Sequence, residues 1–441
     1  MRSKTLSSRG HAVSVCDDGV PDCAEARLLS RRGLLAGGGA SLALWSLMPR
    51  SAIAGTRDPR LLTVILRGGL DGIAMVAPVG DPGYASLRGV HAIPASGANA
   101  GLPLESLFAL NHNLPFLHGL YQKREALFVH AVATPYRGRS HFDGQDVLES
   151  GMPGVGRLDD GWLNRALAGL PSAGAAAPKK GLAMGAVVPL IMRGPAPVLS
   201  WIPKAYNLPL RHSTIARLSD LYSITDPKLA KAFAEGLEID RISTAAPAAP
   251  SPASTKPGDA NPATPPPARP HRDFVDAAET AAKFLSTPDG PRIGALSYNG
   301  WDTHANEGAV QGQLGNRLAG LDAALKALHE GLGAVWKDTV ILVVTEFGRT
   351  ARVNGTDGTD HGTGMVAFMI GGAVKGGRVI ADWPGLSDAA LYENRDLKPT
   401  RDLRTVLKGV LRDHLGIPDG ALAKSVFPES AASKTLDGLI G

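Results

Sequence analysis

Only two cysteines occur in the 441 residues, Cys16 and Cys23, and both precede Arg31. If the leading segment is removed, the remaining chain has no thiol. A disulfide framework and a Cys-ligated metal are then excluded, and any metal must sit on oxygen and nitrogen ligands. Lys/Arg-rich runs with interleaved aromatics are also missing, and aromatics make up only 5% of residues. A nucleic-acid-binding surface therefore has little support. The formal charge of +5 is modest, and residues 1–54 contribute +3 of it, from seven Lys/Arg against four Asp/Glu. The rest of the chain is near +2. No segment reaches the roughly 18 consecutive apolar residues of a membrane span, so a soluble mature protein without a stable span is expected.

What the first residues do contain is ordered like an export signal. Ser30-Arg31-Arg32-Gly33-Leu34-Leu35 is a twin-arginine pattern. A short, Gly-rich, weakly apolar stretch follows from Gly33 to Leu47, and Ala52-Ile53-Ala54 has the small-x-small form of a cleavage site. Residues 1–54 are read as a signal for the twin-arginine transport apparatus, with the mature chain starting at Gly55 in the periplasm or beyond. That route carries folded proteins, often with a cofactor in place, which adds some weight to a bound metal.

Residues 55–441 read as one large α/β domain with a mostly parallel central sheet flanked by helices. Apolar, β-branched runs end repeatedly in small polar turns that carry an acid. Leu61–Leu66 leads into Arg67-Gly68-Gly69-Leu70-Asp71-Gly72, Ile293–Tyr298 into Asn299-Gly300-Trp301-Asp302-Thr303-His304, and Val340–Val344 into Thr345-Glu346-Phe347-Gly348-Arg349. A fourth loop, Asp357-Gly358-Thr359-Asp360-His361-Gly362, precedes the apolar run Met365–Ile370. Unbroken apolar runs are the mark of buried parallel strands, and ligands of open α/β sheets bind beyond the strands' carboxyl ends. Helices are expected over Asn113–Lys123, Ser213–Gly236 with a break near Asp226-Pro227, Val310–Trp336 and Asp402–Leu415. Ala126–Val132 reads as a strand, Leu182–Met192 as an extended run, and Thr134–Asp146 as a polar loop. Ala245–Arg269, almost all Ala, Pro, Ser and Thr, reads as a flexible insertion that cannot bury enough surface to offset its ordering entropy.

Each acidic turn has two readings. Asp71 is either a metal-ligating carboxylate or the cap of a tight turn. Asp302 and His304 either share an ion or cap a helix beside a solvated imidazole. Glu346 is either a ligand or the partner of Arg349, and Arg349 is a candidate holder of an oxyanion. Asp360-His361 is a plain turn or a ligand pair. In Arg137-Gly138-Arg139-Ser140-His141-Phe142-Asp143 a hydroxyl sits beside an imidazole. Ser140 becomes a nucleophile if a metal lowers its pKa, with His141 and Arg139 assisting; the other reading is a solvated basic loop.

Taken in order, Arg-Gly-Gly-Leu-Asp-Gly, Arg-Ser-His-Phe-Asp, Trp-Asp-Thr-His, Thr-Glu-Phe-Gly-Arg-Thr and the Asp-His-Gly loop behind a twin-arginine signal resemble the bacterial DUF1501 family. That family resembles the alkaline-phosphatase/sulfatase superfamily. The resemblance implies a metal carboxylate at Asp71, a nucleophile near Ser140, and ligands among Asp302, His304, Glu346, Asp360 and His361. Such a site would hold one or two divalent ions, Zn, Mn, Mg or Ca. One difference stands out: superfamily enzymes commonly have an Asp-His pair where this chain has Glu346-Phe347, so a ligand histidine is missing there. The expected activity is metal-dependent hydrolysis of phosphate or sulfate esters, small or polymeric, with Ser140 as nucleophile and Arg139 and Arg349 on the equatorial oxygens. The reading from a different class is a non-catalytic exported binding protein on a degenerate hydrolase fold.

Overall fold

Residues 57–105, 107–170, 181–185, 187–202, 212–244 and 271–441 are described by the structure, a computed structural model. The expected signal, its expected cleavage site and the segment Ala245–Arg269, read as an insertion, lie outside these residues.

The apolar runs form one nine-stranded sheet. Its strands are β1 (Arg60–Arg67), β2 (Ala126–Ala133), β3 (Gly181–Met184), β4 (Val198–Trp201), β5 (Ile293–Asn299), β6 (Thr339–Val344), β7 (Met365–Ile370), β8 (Arg378–Ile380) and β9 (Arg401–Asp402). The spatial order is β8-β2-β7-β6-β1-β5-β3-β4, and β9 adds to β2. β1 pairs in parallel with both β5 and β6, and β3 continues the parallel array beside β5. β7 alone runs the other way, antiparallel to β6 and β2. This reversal matters for function. The loop that precedes β7 lies at the same edge as the loops that follow the parallel strands. Asp360-His361 therefore reaches the carboxyl edge from the opposite chain direction.

Both sheet faces are covered, which is why the strands lack a polar alternation. Leu62, Val64 and Leu66 of β1 join one core with the helices Pro115–Gln122, Arg272–Ser286 and Gln313–Leu332. Leu61 and Ile65 join the other, with Trp162–Ala168 and Leu403–Leu415. The described residues from 57 onward belong to one compact unit. A small three-stranded sheet of Val76–Ala77, Leu102–Pro103 and Ala109–Leu110 sits apart from the main one.

Some expected elements differ. The run Leu182–Met192 is extended only to Met184, then turns into a short 3-10 helix at Leu190–Met192. The expected helix Val310–Trp336 is regular over Gln313–Leu332 and tightens into a 3-10 stretch beyond Gly333. Thr134–Asp146 is not one loop. A helix starts at His141 and runs to Ser150, with Ser140 as its N-cap. The break near Asp226-Pro227 is as expected, between helices 212–225 and 227–244.

Candidate metal centre

The register aligns the ends of the three central strands. Arg67 lies opposite Asn299, and Ile65 opposite Val344. The turns after β1, β5 and β6 leave together and pack on one another. Gly68 has φ +118°, and a Cβ there would meet the Asp302 amide nitrogen at 2.6 Å, so only glycine lets these two loops touch. The His141–Ser150 helix completes the rim from the β2 side.

Four side chains face one point at this rim. Asp302 Oδ1 lies 3.0 Å from His304 Nε2, 3.1 Å from His361 Nε2 and 3.4 Å from His141 Nε2. The His304 and His361 Nε2 atoms are 3.0 Å apart. Ligand atoms of His141, Asp302 and His361 all lie within 4.8 Å of one another. With bonds of roughly 2.0–2.1 Å, neighbouring ligands of a tetrahedral ion are about 3.3 Å apart, so these separations match those of a shared ion. The exposure of the side chains rises from 22% at His141 to 45% at His304, so the group is open to solvent on one side.

The opposite ring nitrogens decide what these imidazoles present. His141 Nδ1 lies 2.8 Å from Glu346 Oε1, His304 Nδ1 lies 3.1 Å from Asp360 Oδ1, and His361 Nδ1 lies 2.8 Å from the Arg139 carbonyl oxygen. Each partner is an acceptor, so each Nδ1 carries the proton. Glu346 is kept ionised for this role. Burial pushes its pKa up, but hydrogen bonds led by His141, with Gln145 and the Gly68 amide, outweigh that and lower it. Nε2 of each ring then faces Asp302, and the Glu346 hydrogen bond, with the charges of Glu346 and Asp302, raises the His141 pKa. Two ring nitrogens 3.0 Å apart beside a carboxylate need a cation or a proton between them. His141 Nε2 is buried without any hydrogen-bond partner, an unsatisfied polar atom of the kind a metal ion can occupy. Carboxylates or carbonyls behind ligating imidazoles are the usual outer support of a metal site. Two imidazoles and one carboxylate, with His304 beside Asp302 and His361, thus fit a transition ion.

Residues 125–426, more than half of the chain, match the model of a family described as a protein of unknown function, DUF1501. The chain belongs to this family. None of the curated proteins matches it. Several solved structures are similar at low identity. The phosphonate monoester hydrolase of Agrobacterium radiobacter is 12% identical, with 82% of this chain and 74% of that one covered and a TM-score of 0.36. The C-terminal periplasmic domain of EcEptC from Escherichia coli, in complex with Zn, is 11% identical, with 86% and 88% covered and a TM-score of 0.34. A TAB5 alkaline phosphatase mutant with Mg bound is 12% identical, with 71% and 92% covered and a TM-score of 0.31. Likeness at this level assigns no activity to the DUF1501 chain.

Of the residues singled out in the sequence, the fold brings Asp302, His304, Glu346, Asp360, His361, His141 and Arg349 to one place, but not in the expected parts. Glu346 and Asp360 stand behind imidazoles, as their hydrogen-bond partners. His141, expected to assist a nucleophile, presents Nε2 to the group. Arg349 is fully buried and donates from Nη1 to Asp302 Oδ1 at 2.7 Å, so it is committed to a carboxylate instead of an oxyanion. This bond and Arg349's charge outweigh the effect of burial and lower the Asp302 pKa. Arg139 is likewise paired, with Asp396 at 2.8 Å and Glu393 at 2.5 Å. Ser140 lies between the two: its neighbour Arg139 touches His361 through the carbonyl and its neighbour His141 is one of the four. Its hydroxyl is only a long acceptor for the Asp143 amide, at 3.5 Å.

Asp71 is the plain correction. Its Oδ1 accepts the amides of Ile73 and Ala74, both at 3.0 Å, capping the helix Gly72–Met75. Its Oδ2 binds Arg88, whose side chain is completely buried. Both oxygens are occupied away from the imidazoles, so the turn reading holds and the ligand reading does not. Arg88, Gln145 and Glu307 were not visible as functional in the sequence. The only signal at Glu307 is its place three residues after His304.

Proposed function

We propose that this DUF1501 protein is a metal-dependent hydrolase of phosphate or sulfate esters, exported by the twin-arginine route. The observation that carries the metal is the convergence of the His141, His304 and His361 Nε2 atoms on Asp302, each ring pinned from behind. His141, Asp302, His304 and His361 would hold one divalent ion. Among the described residues, His141, Asp302 and His361 form one group with mutually close ligand atoms, beside which His304 lies against Asp302 and His361, while Asp71 is committed to Arg88, and Glu346 and Asp360 to imidazoles. A nitrogen-rich set favours Zn, Fe or Mn over Mg and Ca. Such an ion would supply positive charge to a bound ester oxygen and lower the pKa of an adjacent hydroxyl or water.

The chain's own part is orientation. Glu346, Asp360 and the Arg139 carbonyl fix the three rings, and Ser140 is the hydroxyl nearest in sequence to that point. As N-cap of a ten-residue helix it also sits at the positive end of the helix, where an anionic ester is favoured. One observation favours the non-catalytic reading: Arg139 and Arg349 are both paired with carboxylates and so are not free to neutralise a transition state.

One experiment separates the two. The mature protein is analysed for bound metal, then assayed on a panel of phosphate and sulfate esters beside Ser140→Ala. Hydrolysis requires a metal content near one per chain, turnover, and loss of turnover in Ser140→Ala with metal retained. Metal without turnover on any ester supports the binding protein. Absence of any bound or added transition ion defeats both forms of the metal reading.

A further inference from the structure

Behind Asp302 lies a chain of buried polar groups that neither ligates nor faces solvent. Arg349 is held on three sides: Nη1 donates to Asp302 Oδ1 at 2.7 Å, Nε to Thr359 Oγ1 at 3.1 Å, and Nη2 to the Thr359 carbonyl at 2.5 Å. Thr359 Oγ1 in turn donates to Glu307 Oε2 at 2.8 Å. Arg349, Thr359 and Glu307 are each at most 1% exposed. The charge of Asp71 acts on the buried Glu307 carboxyl, whose Oε1 has no hydrogen-bond partner, and Asp71 is anchored on Arg88. A hydrogen-bonded buried path therefore runs from Glu307 through Thr359 and Arg349 to one ligand oxygen.

Asp302 is the ligand that needs such help. Its side chain is 39% exposed and stands in the open turn after β5. The three imidazoles each have a fixed acceptor behind them, but a carboxylate on a surface turn has rotamer freedom to lose when an ion binds. A buried guanidinium, itself unable to rotate, removes that freedom in advance. Resting on the metal reading above, we propose that Arg349, Thr359 and Glu307 form a buried support that fixes Asp302 as a ligand and so sets how tightly the site holds its ion. Arg349 is on this account a positioning residue. It does not bind the substrate.

The test is the affinity of the apo mature protein for Zn and Co, measured by competition with a chelator, with the Co absorption spectrum as a report of geometry. Arg349→Met and Glu307→Leu are expected to weaken binding roughly 10–100-fold, the usual effect of losing an outer-shell partner. Thr359→Val, which keeps Arg349 but removes its bridge to Glu307, should weaken binding less. Glu307→Gln should bind within about twofold of wild type, because the amide oxygen still accepts from Thr359. Folding of each variant is checked by circular dichroism, and Thr359→Val decides the matter if Arg349→Met does not fold. Unchanged or tighter binding in folded Arg349→Met, or in folded Thr359→Val if that variant must stand in, overturns the proposal. Tighter binding would mean that Arg349 acts only by its repulsive charge. A wild type that takes up neither ion overturns the metal reading itself, a result distinct from wild-type binding that the variants share.

Discussion

Asp71→Ala separates a structural carboxylate from a ligating one. The substitution removes the partner of Arg88, whose guanidinium is fully buried and whose other bonds, to the carbonyls of Thr350 and Ala351, are long at 3.3 and 3.4 Å. Breaking a buried pair by deleting one member costs about 3–5 kcal/mol. It also removes the cap of two amides, about 1 kcal/mol. Glu307 is close enough to Arg88 to offset part of this by ionising. A net loss of about 4 kcal/mol is a large share of a native stability of roughly 5–15 kcal/mol. With a urea m-value near 3 kcal/mol/M, the midpoint should fall by more than about 1 M. Asp71→Asn, which keeps the cap, should lose less. The double variant Asp71→Leu, Arg88→Met should be more stable than Asp71→Ala, since no charge is left unpaired. Metal content, measured where each variant is still folded, should equal that of the wild type. A variant that keeps its stability and loses its metal would show that Asp71 is a ligand and that the turn reading is wrong.

Glu346→Gln should keep the fold and bind Zn roughly 10-fold or more weakly, because the neutral amide anchors His141 less well; unchanged affinity would remove Glu346 from the site. Burial, reinforced by the charge of Asp71, raises the Glu307 pKa above its ordinary value of 4.5. As pH rises past that value the unfolded chain releases this proton while the folded one keeps it, so stability falls with pH there. In Glu307→Gln that decline should vanish, and urea midpoints measured between about pH 5 and 7 should be flatter than in wild type; parallel curves would refute a protonated Glu307. Replacing both Arg31 and Arg32 with Lys should leave the precursor in the cytoplasm, read by fractionation, and continued export would dismiss the signal. Deletion of 245–269 should change the urea midpoint little, because closure entropy varies slowly with loop length; failure to fold would show that the segment packs.

The strands and the edge on which the site lies were legible because both depend on local pattern. Unbroken apolar runs ending in Gly-Asp or Gly-Arg turns belong to parallel strands whatever their order. The spatial order, with β1 between β5 and β6, was not in the pattern, and it is this order that joins Asp302 to His361. The start of the His141–Ser150 helix was readable in principle, since Ser140-x-x-Asp143 is a capping signature. It was obscured because Arg137 to Asp143 shows no apolar periodicity.

Division of labour among the acids was beyond the sequence for a physical reason. A carboxylate at a strand end can bind an ion, an imidazole N–H or a guanidinium with similar local surroundings. The choice belongs to whichever partner the fold places nearest. Asp71 and Asp302 occupy comparable turns, two strands that pair directly, and both end beside a buried arginine. Arg88 closes Asp71 off completely, because its side chain is 0% exposed and no imidazole reaches that carboxylate among the described residues. Arg349 approaches Asp302 from the buried side only, and the solvent side remains for three histidines. One acid is thereby a structural member and the other a candidate ligand. The arginines that decide this stand 17 and 47 residues away. The missing histidine at Phe347 follows the same logic. Phe347 stacks against His141 with ring centroids 4.9 Å apart, so the position packs a candidate ligand supplied by the start of the His141–Ser150 helix.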